Sequence, residues 1–86
     1  MEPEYADAVS KGRIEVLVEP FKEGDPGPHV MAVVDALKEA GLTVDMGPFA
    51  TTAVGDLDTL VELIGQITQA ALEAGASSLQ TRLERL

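Results

Sequence analysis

Twice along this chain the residues Glu-Ala-Gly close an apolar helical run and hand over to an alternating one, at Glu39-Ala40-Gly41 and again at Glu73-Ala74-Gly75. Glycine ends a helix there because it adopts the left-handed conformation that the capping turn needs. Each half of the chain then reads as strand, helix, strand. In the first half, Ile14, Val16 and Val18 alternate with Glu15, Leu17 and Glu19, the period of a half-buried strand. Pro20 stops it, and Lys22 to Pro28, with Gly24, Pro26 and Gly27, is a loop by composition. Pro28 suits the first turn of a helix, where its missing N–H costs nothing. Val30, Val33, Val34 and Leu37 follow at helical spacing, and Leu42, Val44 and Met46 alternate with Thr43 and Asp45 in a second strand.

The second half repeats the plan. Gly47-Pro48 makes a turn, and Phe49 to Val54 reads as a third strand on β-propensity. Asp56 is placed to cap the next helix with its carboxylate. Leu60, Leu63, Ile64, Ile67 and Ala71 form one apolar stripe down that helix. Leu79, Thr81 and Leu83 then alternate with Gln80, Arg82 and Glu84 in a fourth strand. The order βαββαβ predicts an α+β, ferredoxin-like domain, a four-stranded antiparallel sheet with two helices on one face. It spans residues 12–86, behind a polar leader over residues 1–11 that has no apolar run of the signal-peptide kind.

Composition narrows the function classes. Six basic against fifteen acidic residues leave a formal charge of −9, which repels phosphate backbones and argues against nucleic acid. Tyr5, Phe21 and Phe49 are the aromatic residues, too few for a base-stacking platform. The absence of cysteine removes thiolate nucleophiles and disulfides, and a single histidine argues against a metal site, so no cofactor or metal is expected. No apolar run reaches the roughly 18 residues of a membrane span. A cytoplasmic location is the expectation. A chain of 86 residues buries only roughly 60–65% of its unfolded surface, which favours sharing a core or a face with a partner.

If both helices cover one sheet face, the other holds Glu15, Leu17, Glu19, Thr43, Asp45, Thr52, Val54, Gln80, Arg82 and Glu84. Such a face is either simply solvated or the meeting surface of a homo-oligomer, with Arg82 neutralising Glu15 or Glu19.

No catalytic constellation emerges. Nucleophilic catalysis needs a hydroxyl or thiol beside a base, and His29 is the only imidazole. At the start of the first helix it either donates to a loop carbonyl or faces solvent. Asp56 and Asp58 form a carboxylate pair, but capping and dipole complementarity explain both. Gly24 to Pro28 lacks the Gly-Lys-Ser/Thr that cradles a phosphate.

The segment from Gly47 to Asp56 is the most specific part of the chain. By parity Phe49, Thr51 and Ala53 share one face, where a core would rather have valine or isoleucine at 51 and 53. Small and polar residues there point to a cavity. The alternative is that Thr51 bonds a backbone carbonyl and Ala53 makes room for a helix. Thr81, in step with Leu79 and Leu83, is a second inward hydroxyl.

This segment resembles the thiamine-binding protein family (YkoF-like) over Arg13 to about Leu86. The resemblance rests on Val18-Glu19-Pro20-Phe21, Pro26-Gly27-Pro28-His29-Val30, Leu37 to Leu42, Gly47-Pro48-Phe49, Thr51-Thr52, Gly55-Asp56-Leu57-Asp58 and Glu73-Ala74-Gly75-Ala76. It implies a ferredoxin-like domain that binds thiamine or its hydroxymethylpyrimidine moiety without transforming it. It also implies a role in thiamine salvage or uptake, and assembly as a dimer or tetramer. The family's motif threonine falls on Thr51, with Thr52 adjacent, and its face aligns with the helix side. Many members carry a glutamate before the Gly-Asp pair, and this chain departs from them with Val54.

The ligand-binding residues expected on this basis are Thr51, Thr52, Phe49, Thr81, His29, Glu19 and Phe21. Phe49 or Phe21 would give apolar contact to a flat pyrimidine, while Thr51 and Thr81 would bond its ring nitrogens or amine. An acidic surface at Glu19, Glu23 and Asp25 would attract the thiazolium charge. The competing expectation is a structural or regulatory protein-interaction domain of the same fold with no small-molecule ligand.

Overall fold

Both helices end in the same way. The computed structural model describes residues 10–20, 22 and 24–86, and in it α1 runs Pro28–Glu39 and α2 runs Leu57–Glu73. Gly41 N–H bonds to Lys38 C=O and Leu42 N–H to Leu37 C=O. Gly75 N–H bonds to Leu72 C=O and Ala76 N–H to Ala71 C=O. These are paired Schellman bonds, closed by glycines at φ +87° and +111°. Each cap sends the chain back along its helix into a strand.

The strands are β1 (Lys11–Glu19), β2 (Thr43–Met46), β3 (Thr51–Asp56) and β4 (Ser78–Arg85), so the element order is βαββαβ. They form one sheet in the order β2-β3-β1-β4, with every neighbouring pair antiparallel. Both helices pack on one face. Val33 and Leu37 from α1 join Leu60, Leu63, Ile67 and Ala71 from α2 over Ile14, Val16, Val18 and Ala53 of the two central strands. Pairing aligns the edge strands with them, setting Val44 opposite Ala53 and Leu83 opposite Ile14. The alternation expected of β1, β2 and β4 therefore holds, because a one-residue slip would bury the acids.

Two local expectations are corrected. Phe49 and Ala50 do not belong to a strand, because Gly47 N–H bonds Ala50 C=O at 2.9 Å and closes a hairpin turn with Pro48 and Phe49 at its tip. Asp56 stands at the N-cap of α2 but makes no capping bond. Its carboxylate instead takes the ammonium of Lys11, its cross-strand partner, at 2.8 Å. On the uncovered face Arg82 pairs with Glu84 at 3.6 Å, and Glu19 accepts from Ser78 Oγ at 3.0 Å within the chain. The leader expected over residues 1–11 falls, through residue 9, outside the described residues.

Gly41→Ala should lower stability by about 1 kcal/mol, the cost of a Cβ at positive φ. Leu60→Ala, at a fully buried site, should lower it by roughly 2–5 kcal/mol. Urea unfolding measures both, and an unchanged midpoint for Gly41→Ala would show the cap glycine to be dispensable.

Candidate functional site

Where the β2–β3 hairpin turns, the helix-side core opens into a cavity of about 320 Å³. Its floor is Val16 and Val18 of β1, and one wall is Val30 near the start of α1. Met46, Pro48, Phe49 and Thr51 of the hairpin make the opposite wall, and Lys22 and Pro26 of the loop before α1 close the side. The volume lies at the lower end of the range for small-molecule sites, ~300–1,000 Å³.

Thr51 is the polar residue of this lining with the least exposure, at 3%. It is placed by two rungs of the sheet, opposite Val16 on one side and Met46 on the other. Among the described residues no hydrogen bond engages its hydroxyl, so the bond to a backbone carbonyl allowed by the sequence is not formed. Burying a hydroxyl without a partner is costly, and native proteins keep such groups for a reason.

The other expected residues divide. Phe49 lies on the cavity wall, 65% exposed. It also borders a second, shallower hollow on the uncovered sheet face with Glu15, Leu17, Gln80 and Arg82. Thr81 faces the helix side opposite Val16, yet it borders that second hollow and not the first. Thr52 points to the uncovered face, its Oγ1 directed at the Asp45 carbonyl at 3.5 Å. His29 donates from Nε2 to the Pro20 carbonyl at 2.6 Å and so ties the start of α1 to the end of β1. Glu19 is engaged with Ser77 and Ser78. Phe21 and Glu23 lie outside the described residues, and Asp25 pairs with Lys22 at 3.6 Å. Thr51 and Phe49 are thus brought together at the cavity, and Thr52, Thr81, His29 and Glu19 are not.

Lys22, Val30 and Met46 are lining residues that sequence reasoning missed. Val30 and Met46 carry ordinary core periodicity, and Lys22 sits in a loop whose path no local pattern predicts. Among the described residues no group of three or more acids or histidines is arranged to hold a metal. No helix of the described residues is long and apolar enough to cross a membrane.

A model of the thiamine-binding protein family matches residues 14–84. The chain belongs to the thiamine-binding protein family. The match reaches every strand and helix, leaving out only residues 11–13 of β1 and Arg85 of β4, and includes Thr51 and the hairpin before it. Solved structures share the fold. A domain of unknown function from Bacillus cereus superposes with a TM-score of 0.66 at 22% identity, over 91% of this chain and 76% of that one. A candidate thiamine biosynthesis or salvage protein from Thermotoga maritima gives 0.65 at 16% identity, over 86% and 82%. A hypothetical protein from Methanocaldococcus jannascii gives 0.65 at 19%, over 88% and 78%. At these identities the likeness concerns the fold. No curated protein matches the chain.

Thr51→Val, which removes an unpartnered buried hydroxyl at almost constant volume, should stabilise the ligand-free protein by about 1 kcal/mol. A fall in the urea midpoint would mean that the hydroxyl has a partner within the fold.

Proposed function

We propose that this protein binds thiamine, or its hydroxymethylpyrimidine moiety, without transforming it, in thiamine salvage or uptake. The observation that carries this reading is the buried, unpartnered Thr51 hydroxyl in an apolar cavity of a thiamine-family chain. A flat aminopyrimidine suits such a space. Valine side chains and Phe49 contact its faces, and Thr51 bonds a ring nitrogen or the amine. The thiazolium end carries a positive charge, and a chain of formal charge −9 favours its approach. Binding without turnover is consistent with His29, the chain's one imidazole, being committed to the Pro20 carbonyl.

The same reading assigns the uncovered sheet face to contact between copies of this chain. Val54, at the position of the family's frequent glutamate, lies on that face at 49% exposure and away from the cavity. It stands beside Arg13 and Thr43. Apolar Leu17 and Val54 among charges of both signs, on a chain with a modest core, favour a partner there.

Calorimetric titration should give saturable heat with thiamine or with free hydroxymethylpyrimidine. No heat with either at millimolar ligand would end the proposal. Thr51→Val should weaken binding by roughly 2- to 10-fold, the worth of one neutral hydrogen bond, with the far-UV circular dichroism unchanged. Native mass spectrometry should report two or four chains, and Val54→Lys should shift the population towards monomer. A monomeric wild type would remove the interface assignment and leave the cavity untouched.

A further inference from the structure

The cavity holds a second unsatisfied polar feature, and it belongs to the backbone. In an antiparallel ladder the N–H and C=O of one residue point to the same side, and those of the next residue point to the other. Two bonds fix that alternation in β1. Ser10 C=O accepts from Leu57 N–H at 2.8 Å on the β3 side, and Lys11 C=O accepts from Leu86 N–H at 2.9 Å on the β4 side. Glu19 C=O, taking Ser77 N–H at 2.7 Å beside β4, shows the same phase at the far end of the strand. Gly12, Ile14, Val16 and Val18 therefore present their backbone groups to β3.

The first three have partners there in Gly55, Ala53 and Thr51. The ladder then stops. Continuing the register would bring position 49 opposite Val18, but the bond from Gly47 to Ala50 has already turned the hairpin. Among the described residues no hydrogen bond joins the Val18 N–H or C=O to that turn. Val18 is 3% exposed and lines the cavity next to Val16 and Thr51. Its donor and acceptor thus lie buried at the edge of a largely apolar cavity, an arrangement that proteins almost always satisfy.

A donor beside an acceptor on one residue is complemented by an acceptor beside a donor, which is the edge of an amidine. An aminopyrimidine carries that edge in its ring nitrogen and adjacent exocyclic amine. We propose that the Val18 backbone reads this edge, its N–H donating to the ring nitrogen and its C=O accepting from the amine. The ligand then takes the rung of the sheet that β3 leaves vacant. This assignment rests on the thiamine reading and adds the basis of its selectivity. The backbone cannot exchange its donor and acceptor, so a ring with a carbonyl in place of the amine, and an N–H in place of the ring nitrogen, presents the reverse pattern and is rejected.

Oxythiamine is that reversed analogue. Titration of the wild-type protein should show oxythiamine at least about 100-fold weaker than thiamine, since the mismatch leaves buried polar groups unpaired on both sides. Thr51→Val should keep this preference although both affinities change. On thiamine addition to ¹⁵N-labelled protein, the Val18 amide proton should move downfield. Equal affinity for thiamine and oxythiamine, loss of the preference in Thr51→Val, or a Val18 amide that stays fixed while thiamine binds would each overturn the backbone assignment alone. Failure of thiamine and hydroxymethylpyrimidine alike to bind would overturn the thiamine reading and this assignment with it.

Discussion

The β1–β3 ladder stops at the rung between Val16 and Thr51, and the candidate site depends on that stop. It follows from one turn. Gly47 N–H reaches Ala50 C=O, so the hairpin reverses before β3 can run along the last residues of β1. Had β3 begun two residues earlier, its backbone would have covered Val18 and filled the space where the cavity lies. The early reversal leaves apolar walls, a buried hydroxyl and an unpaired stretch of strand edge together at one end of the core.

The rest of the fold holds that gap open. Val18 and Val16 are held from the β4 side, where pairing runs from Gly12 to Glu19 without interruption. His29 ties the first turn of α1 to Pro20, and Val30 one residue on forms the cavity's helix wall. The core beneath is apolar, with Ile14, Leu37, Leu60 and Ile67 fully buried. The ion pairs, in contrast, are exposed. Lys11–Asp56 and Lys22–Asp25 are screened by water and contribute little to stability.

Much of this was legible in the sequence, and the reason differs by element. The two Glu-Ala-Gly closures marked both helix ends because a Schellman turn is decided within six residues. Strand faces were legible because the period of two carries its own phase, so Ile14, Val16 and Val18 were bound to share a face. Phe49 reads as part of a strand because its β-propensity looks the same in a turn. The competing term was the hairpin closure across Gly47 and Ala50, a bond between two backbone groups that no side chain announces. Asp56 has the local signature of a capping carboxylate, but the sheet brings Lys11 opposite it.

Local chemistry in the sequence alone thus determined the element order, the buried faces, the helix caps and the family, since each rests on neighbours along the chain or on a motif in order. Folding decided which candidates meet. It set Thr51 and Phe49 at one cavity with Val18, turned Thr52 to the other face, kept Thr81 on the far side of β1, and committed His29 to a carbonyl. The physical reason is register. Which residue stands opposite which across a sheet, and where a ladder ends, follow from turn closure and from packing between segments distant in sequence, and those forces leave no mark on any one stretch of the chain.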